Sequence, residues 1–102
     1  MSRITAILAI ILSLAFTPLA AQDFQKGLSA AQSGDFATAL QEWKPLADQG
    51  DAYAQYNLGN MYTNGQGVPQ DYAEAVKWYR LAADQGYAKA QFNLGVMYSI
   101  GK

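Results

Sequence analysis

Residues 54–62 read Ala-Gln-Tyr-Asn-Leu-Gly-Asn-Met-Tyr, and residues 90–98 read Ala-Gln-Phe-Asn-Leu-Gly-Val-Met-Tyr, 36 positions later. The match extends without a gap, since residues 35–66 align with residues 71–102 and 16 of the 32 aligned positions are identical. Unrelated segments would share only a few positions, so the chain contains an internal duplication. A repeat of about 20 to 50 residues is typical of solenoids, in which each unit covers the apolar face of its neighbour.

Each repeat unit is predicted to form two helices. Asp71 is a suitable N-cap, and Glu74 follows at the spacing of a capping box. Apolar residues then recur at helical spacing until Gly86, a residue type that often ends helices. The same reasoning predicts helices over residues 24–33, 36–48, 52–64, 72–85 and 88–100. Because the connections are short, neighbouring helices should pack antiparallel, which gives an all-α solenoid of antiparallel helix pairs with about two and a half repeats.

Two glycines lie inside predicted helices at equivalent positions, Gly59 and Gly95. Glycine in a helix interior costs about 1 kcal/mol relative to Ala. Its presence in both repeats is best explained by the close approach of two helix backbones, which a side chain would prevent.

Three segments within the duplicated region are distinctive as a set. They are Leu-Gly-Asn-Met-Tyr at 58–62, Gly-Gln-Gly-Val-Pro-Gln-Asp-Tyr at 65–72 and Ala-Val-Lys-Trp-Tyr-Arg-Leu-Ala-Ala-Asp-Gln-Gly at 75–86. Together they closely resemble the Sel-1-like repeat (SLR) family, a relative of the tetratricopeptide repeats with a 36-residue period. The resemblance covers about residues 34–102 and implies a right-handed superhelix. We therefore predict an atypical tetratricopeptide-like unit at 22–50, a Sel-1-like repeat at 51–86 and the first helix of an incomplete repeat at 87–102.

Residues 1–21 differ from the rest of the chain. Arg3 supplies a positive charge, residues 4–16 are almost wholly apolar, and Pro18 precedes small residues that end at Ala21. This order is typical of a secretory signal peptide cleaved after Ala21. An uncleaved membrane anchor is the alternative, but the apolar run is shorter than the ~20 residues of a spanning helix. We expect a periplasmic or secreted bacterial protein that meets the membrane only if this segment stays uncleaved.

The composition argues against several kinds of function. The chain has no Cys and no His, which removes thiol and imidazole chemistry and zinc sites built on those side chains. It carries 7 basic and 8 acidic side chains, and this near-neutral balance gives no reason to expect a nucleic-acid partner. Asp48 and Asp84 recur between repeats, but they lie beside helix-ending glycines, where solvation or turn formation explains them. We predict no catalytic residue, no metal site and no cofactor.

The first helix of each pair lines the concave side of the superhelix that the resemblance implies, and there we expect a protein or peptide to bind. The predicted partner-binding residues are Tyr53, Asn57, Asn60 and Asn64, which share one helical face, together with Lys89 and Asn93 in the next repeat. Asn57 and Asn93 either clamp the backbone of a bound peptide through their side-chain amides or hold the angle between neighbouring helices. Positions that differ between the repeats, 53/89 and 60/96, are better candidates for partner specificity.

The C-terminal end of the sequence aligns with the middle of a repeat, because residues 101–102 match residues 65–66. Without the second helix of that repeat, Leu94, Met97 and Tyr98 should lack part of their cover. Either the array is truncated, or this end is an interface, for example in a homodimer.

These observations predict a non-catalytic interaction scaffold or adaptor of the bacterial cell envelope. One alternative is binding to cell-wall glycan, because the adjacent Trp78 and Tyr79 should not both face a core and one should be partly exposed. A second alternative is β-lactam-related binding or hydrolysis, which the resemblance implies for Cys-rich members of the family. The chain lacks both Cys and a Ser-x-x-Lys motif, which argues against that activity.

Overall fold

The computed structural model of the protein describes residues 23–101, which form five α-helices. They are α1 (Phe24–Gln32), α2 (Phe36–Asp48), α3 (Ala52–Asn64), α4 (Tyr72–Asp84) and α5 (Ala88–Ser99). Every boundary lies within one residue of its prediction, and the all-α solenoid is confirmed. The predicted signal peptide lies outside the described residues. Within them, no helix is long and apolar enough to cross a bilayer.

Aspartate side chains begin four of the five helices by accepting bonds from first-turn backbone amides. At α2 the Thr38 hydroxyl and amide donate to Asp35, and these hydrogen bonds lower the pKa of that carboxyl group. The predicted capping box of α4 is only half formed. Asp71 accepts from the Glu74 amide at 3.1 Å, but its own amide donates to the carbonyl of Tyr62. At the fifth helix the N-cap residue is Tyr87, whose side chain makes no capping hydrogen bond.

The helices pack mainly on their neighbours in sequence and enclose two apolar cores. The first core lies among α1, α2, α3 and α4, and the second lies among α3, α4 and α5. Trp78 reaches the first core and Tyr79 the second, with only 9% and 2% of their surfaces exposed. The expectation that one of them is partly exposed is therefore wrong. Successive residues on a helix point about 100° apart, and α4 has a core on each of these two sides.

Two of the three glycines inside the described helices make room for an aromatic ring. A Cβ atom at Gly59 would overlap the Tyr79 ring, and one at Gly27 would overlap the Trp43 ring. The expected approach of two helix backbones is therefore corrected to the approach of a side chain to a helix backbone. At Gly95 a Cβ atom would meet nothing within 4 Å.

Candidate binding site

Two clefts separate the first helices of successive pairs, α1, α3 and α5. The α1/α3 cleft has a volume of about 310 Å³, and the α3/α5 cleft has a volume of about 390 Å³. Both are near the lower end of the range for ligand pockets, ~300 to 1,000 Å³. Asn60 and Asn64 line both clefts, so the two form one continuous surface.

The two clefts are built from equivalent repeat positions. Trp43 and Met61 line the α1/α3 cleft, and their equivalents Tyr79 and Met97 line the α3/α5 cleft. The walls differ in polarity. In the α1/α3 cleft α3 contributes Asn57, Asn60 and Asn64, whereas in the α3/α5 cleft α5 contributes Asn93, Val96 and Ile100. The first cleft therefore offers amide groups, and the second offers mainly apolar surface.

Four of the six predicted partner-binding residues line these clefts, namely Asn57, Asn60, Asn64 and Asn93. The other two, Tyr53 and Lys89, lie outside both clefts, because they belong to the first turns of α3 and α5. Tyr53 is 59% exposed and packs edge-on against Tyr87, with ring centroids 4.9 Å apart.

Three residues that the sequence did not single out also line the α3/α5 cleft: Thr63, Tyr72 and Phe92. Phe92 is the most exposed of them, with 72% of its surface accessible. It occupies the repeat position of Tyr56 and lacks the tyrosine hydroxyl group. This difference between the repeats was the sequence feature that could have identified Phe92 as a candidate site residue.

A hydrogen-bond network ties α3, α4 and α5 together beside the α3/α5 cleft. The Tyr79 hydroxyl donates to Asn60 Oδ1 at 2.5 Å and lies 3.2 Å from Thr63 Oγ1. Asn93 Nδ2 donates to the same Asn60 oxygen at 3.4 Å. Burial raises the pKa of Tyr79, although hydrogen bonds with Thr63 and Asn93 oppose the shift. The hydroxyl therefore stays protonated near neutral pH, and the Asn93 amide contacts the neighbouring helix α3 through Asn60.

Asn57 and Asn64 differ from the other two asparagines of the clefts. Within the described residues, neither side-chain amide makes a hydrogen bond. Each amide has two N–H donors and a carbonyl acceptor, which match the acceptor and donor groups of a peptide backbone. Their amides are therefore available to a ligand.

The three end residues predicted to lack cover differ in how far α4 buries them. Met97 is 5% exposed and belongs to the second core, and Leu94 packs against that core. Tyr98 is 52% exposed, but its hydroxyl accepts a hydrogen bond from Arg80. The expectation was wrong for Met97, whose side of α5 faces α4, whereas Leu94 is only half-buried although its repeat equivalent Leu58 is fully buried.

The described residues offer little support for sugar stacking on tryptophan or for metal binding. Both tryptophan rings are buried, so neither presents a face to a sugar. In residues 23–101, no group of three or more ligand-type side chains lies close enough together to hold a metal ion.

Known proteins share both the repeat and the fold. The Sel1 repeat family model matches residues 52–87 and 88–102. A Sel1 repeat protein from Oxalobacter formigenes is 34% identical and superposes with a TM-score of 0.65 over 96% of this chain. A protective antigen present in uropathogenic Escherichia coli strains, which displays an SLR fold, is 37% identical with a TM-score of 0.63 over 78% of this chain.

The chain spans 45% of the first of these proteins and 21% of the second. No curated protein matches the sequence. The two repeat matches and the shared helical architecture show that this chain belongs to the Sel1 repeat family, whose members are generally protein-interaction scaffolds.

Proposed function

We propose that this chain is a non-catalytic scaffold whose two clefts bind an extended segment of a partner protein. The observation that carries this proposal is the pair of unpaired amides, Asn57 and Asn64, beside the buried rings of the clefts. Asn64 borders both clefts, so one peptide can meet both amides as it crosses from one cleft to the other.

The walls of the clefts suggest which side chains the partner carries. Val96, Ile100 and Phe92 give the α3/α5 cleft an apolar wall suited to a bulky apolar side chain. Gln32 and Gln66 join the asparagines around the α1/α3 cleft, which suits a polar side chain or the peptide backbone itself. The partner segment therefore combines one apolar anchor with backbone groups held by amides.

The absence of charge in the clefts supports binding rather than catalysis. Among residues 23–101, no Asp, Glu, Lys or Arg lines either cleft. The titratable groups there are the tyrosines Tyr72 and Tyr79, and the raised pKa of Tyr79 makes it a poor proton acceptor near neutral pH. General acid–base catalysis needs a group whose pKa lies near the working pH. This is also evidence against the β-lactam hydrolysis alternative.

Selection from a random peptide library displayed on phage tests the proposal. We expect enriched peptides to share a bulky apolar residue and to bind the purified chain in calorimetric titrations. The double variant Asn57→Ala/Asn64→Ala should bind the same peptide at least about tenfold more weakly, the loss expected when central contacts are removed.

Leu81→Ala is the matched control, because Leu81 is an exposed apolar residue on α4 that lines neither cleft. It should bind like the parent chain, and circular dichroism should show that all variants remain helical. The proposal fails if no peptide is enriched above background, or if the double variant binds as tightly as the parent chain.

Export to the bacterial periplasm or medium is part of the proposal. Its support is the order of charge, apolar run and alanines in residues 1–21. Mass spectrometry of the protein recovered from the periplasm should give the mass of a chain cleaved after Ala21. A full-length mass in the membrane fraction would instead support an uncleaved anchor, and a full-length cytoplasmic protein would contradict export.

A further inference from the structure

The side chain of Asn60 has a fixed orientation, because two donors already occupy its oxygen. This oxygen accepts a hydrogen bond from the Tyr79 hydroxyl at 2.5 Å and another from Asn93 Nδ2 at 3.4 Å. A carbonyl oxygen has two lone pairs, so both are then used. Turning the amide over would place its own N–H groups against these two donors. The oxygen of Asn60 therefore faces the network, and its nitrogen faces away from it.

The direction of the bond between Tyr79 and Asn60 follows from the neighbouring protons. The Thr63 hydroxyl donates its single proton to the Gly59 carbonyl at 2.8 Å, so it has none for Tyr79. Burial raises the pKa of Tyr79, so its hydroxyl keeps its proton near neutral pH. Asn60 Oδ1 lies 2.5 Å from that hydroxyl, whereas Thr63 Oγ1 lies at 3.2 Å. Tyr79 is therefore the donor and Asn60 the acceptor.

The nitrogen of Asn60 keeps two N–H groups that make no hydrogen bond within the described residues. Asn60 borders both clefts, where a ligand can reach these groups. The unbonded amides of Asn57 and Asn64 can turn either their oxygen or their nitrogen toward a ligand. Asn60 offers only donors, and the equivalent position in the next repeat is Val96, which offers none.

We propose that Asn60 sets the register of the bound segment by donating to one of its main-chain carbonyl groups, and that the Tyr79 hydroxyl positions Asn60 for this role. The inference rests on the proposed binding of an extended segment, and it adds the point at which that segment is fixed. A side chain that is already held in its bound orientation loses little freedom on binding.

The neighbours of Asn60 favour a main-chain carbonyl as the acceptor. Asn57 and Asn64 lie about one helical turn before and after it, on the same face, and their amides can adapt to either backbone group of the segment. Among the described residues that line the clefts there is no cation to attract a carboxylate. A neutral carbonyl, which an extended segment carries at every residue, therefore suits this site.

The first test uses the free chain. In NMR spectra of the ¹⁵N-labelled protein, the side-chain amide protons of Asn60 should exchange with water about as fast as those of Asn57. Both residues are half-buried, and neither amide donates a hydrogen bond within the described residues. Much slower exchange at Asn60 would mean that its nitrogen is bonded within the chain, which would overturn the proposal even if a peptide binds.

Asn60→Asp tests the donor with a selected peptide. The new carboxylate can still accept from Tyr79 and Asn93, but it has no N–H group and repels a carbonyl oxygen. The peptide should bind at least about tenfold more weakly, while circular dichroism remains that of the parent chain. Gln41→Glu makes the same change of amide to carboxylate on an exposed part of α2 outside both clefts, and it should bind like the parent chain.

The proposal is overturned if Asn60→Asp binds like the parent chain, or if Gln41→Glu weakens binding equally. Either result leaves the proposed function standing as long as the parent chain binds the peptide. Failure to find any binding peptide would instead contradict the proposed function, and this register with it.

Tyr79→Phe tests the positioning role, because it keeps the ring over Gly59 and removes only the hydroxyl group. It should weaken peptide binding about three- to tenfold in the parent chain and have little effect in the Asn60→Ala background. A general effect on the fold would weaken binding equally in both backgrounds. Equal losses would therefore overturn the role of Tyr79.

Replacing each side chain of the peptide with Ala in turn identifies the acceptor. If it is a main-chain carbonyl, every one of these peptides should still bind more weakly to Asn60→Asp than to the parent chain. If one replacement removes that difference, the acceptor belongs to the replaced side chain, and the main-chain assignment is overturned.

Discussion

Gly59 and Gly95 show how one residue type in a duplicated block acquires two different roles. The sequence marks both glycines as costly in a helix, and it predicts that something must lie close to each of them. The structure shows a Tyr79 ring over Gly59 and open space at Gly95. Sequence alone could not tell them apart, because the ring comes from a helix 20 residues further on and only one of the two glycines has such a helix in the described chain.

We therefore expect the same substitution to have opposite effects at these two positions. Gly59→Ala should lower the free energy of unfolding by about 1 to 3 kcal/mol, because the methyl group overlaps the Tyr79 ring. Gly95→Ala should raise it by up to about 1 kcal/mol through better helix propensity. Urea denaturation of dilute samples measures both, and shifts of the same sign would contradict this account of the glycines.

Tyr79 and Tyr87 give an expected pH dependence of stability. Burial raises the pKa of both phenols above the ordinary value of 10.0. The unfolded chain therefore loses these protons at lower pH than the folded chain. Stability from this source is complete below about pH 10 and is lost as the pH rises through the folded-state pKa values.

Denaturation curves from pH 8 to pH 11 should show this loss, with a shallower slope in Tyr79→Phe. A remaining slope is expected from Tyr87, whose pKa is also raised by burial. An unchanged slope in Tyr79→Phe would show that this hydroxyl is not kept protonated by the fold.

At the scale of elements, the helices were the most predictable part of the molecule. Aspartates before helices and glycines after them have local effects, so every boundary could be predicted to within one residue. Only half of the predicted capping box forms, because the Asp71 amide donates to the Tyr62 carbonyl of the preceding helix. That partner lies outside the local sequence from which the box was predicted. The burial of both Trp78 and Tyr79 was missed for a similar reason, since it depends on which helices flank α4.

The helices α3 and α5 occupy equivalent positions in the two repeats. We expect α5 to be the less stable of these two helices. Both helices contain the nine-residue repeat block, but α5 lacks a capping side chain, and within residues 23–101 it packs mainly on α4, whereas α3 packs on both α2 and α4. In dilute solution, hydrogen–deuterium exchange monitored by mass spectrometry should be faster in α5 than in α3. Exchange in α5 that is as slow as in α3 would contradict this difference.

At the scale of the whole molecule, the sequence predicted which face of α3 lines the clefts, but not which individual side chains take part. Helical periodicity placed Asn57, Asn60 and Asn64 on one face, and all three line the clefts. It could not show that the clefts lie beyond the first turns of α3 and α5, so that Tyr53 and Lys89 lie outside the clefts. Nor could it show which amides are already bonded, because that depends on the Tyr79 hydroxyl of another helix.

The neutral clefts predict that peptide binding depends little on salt. Since none of the described residues that line the clefts is charged, changing NaCl from about 50 mM to about 500 mM should alter Kd less than about threefold. Titration calorimetry at the two salt concentrations measures this. A much larger loss of affinity would mean that binding uses charged residues outside the clefts.

Mapping a selected peptide onto the chain by NMR tests the central claim most directly. Amide chemical shifts of the ¹⁵N-labelled chain would be recorded as the peptide is added. We predict that the largest changes lie in residues 57–66 and 92–100, with small changes on the outer surface of α4 around Leu81. Changes centred on the outer surfaces of α2 and α4, with the cleft residues unaffected, would contradict the claim that the clefts are the binding site.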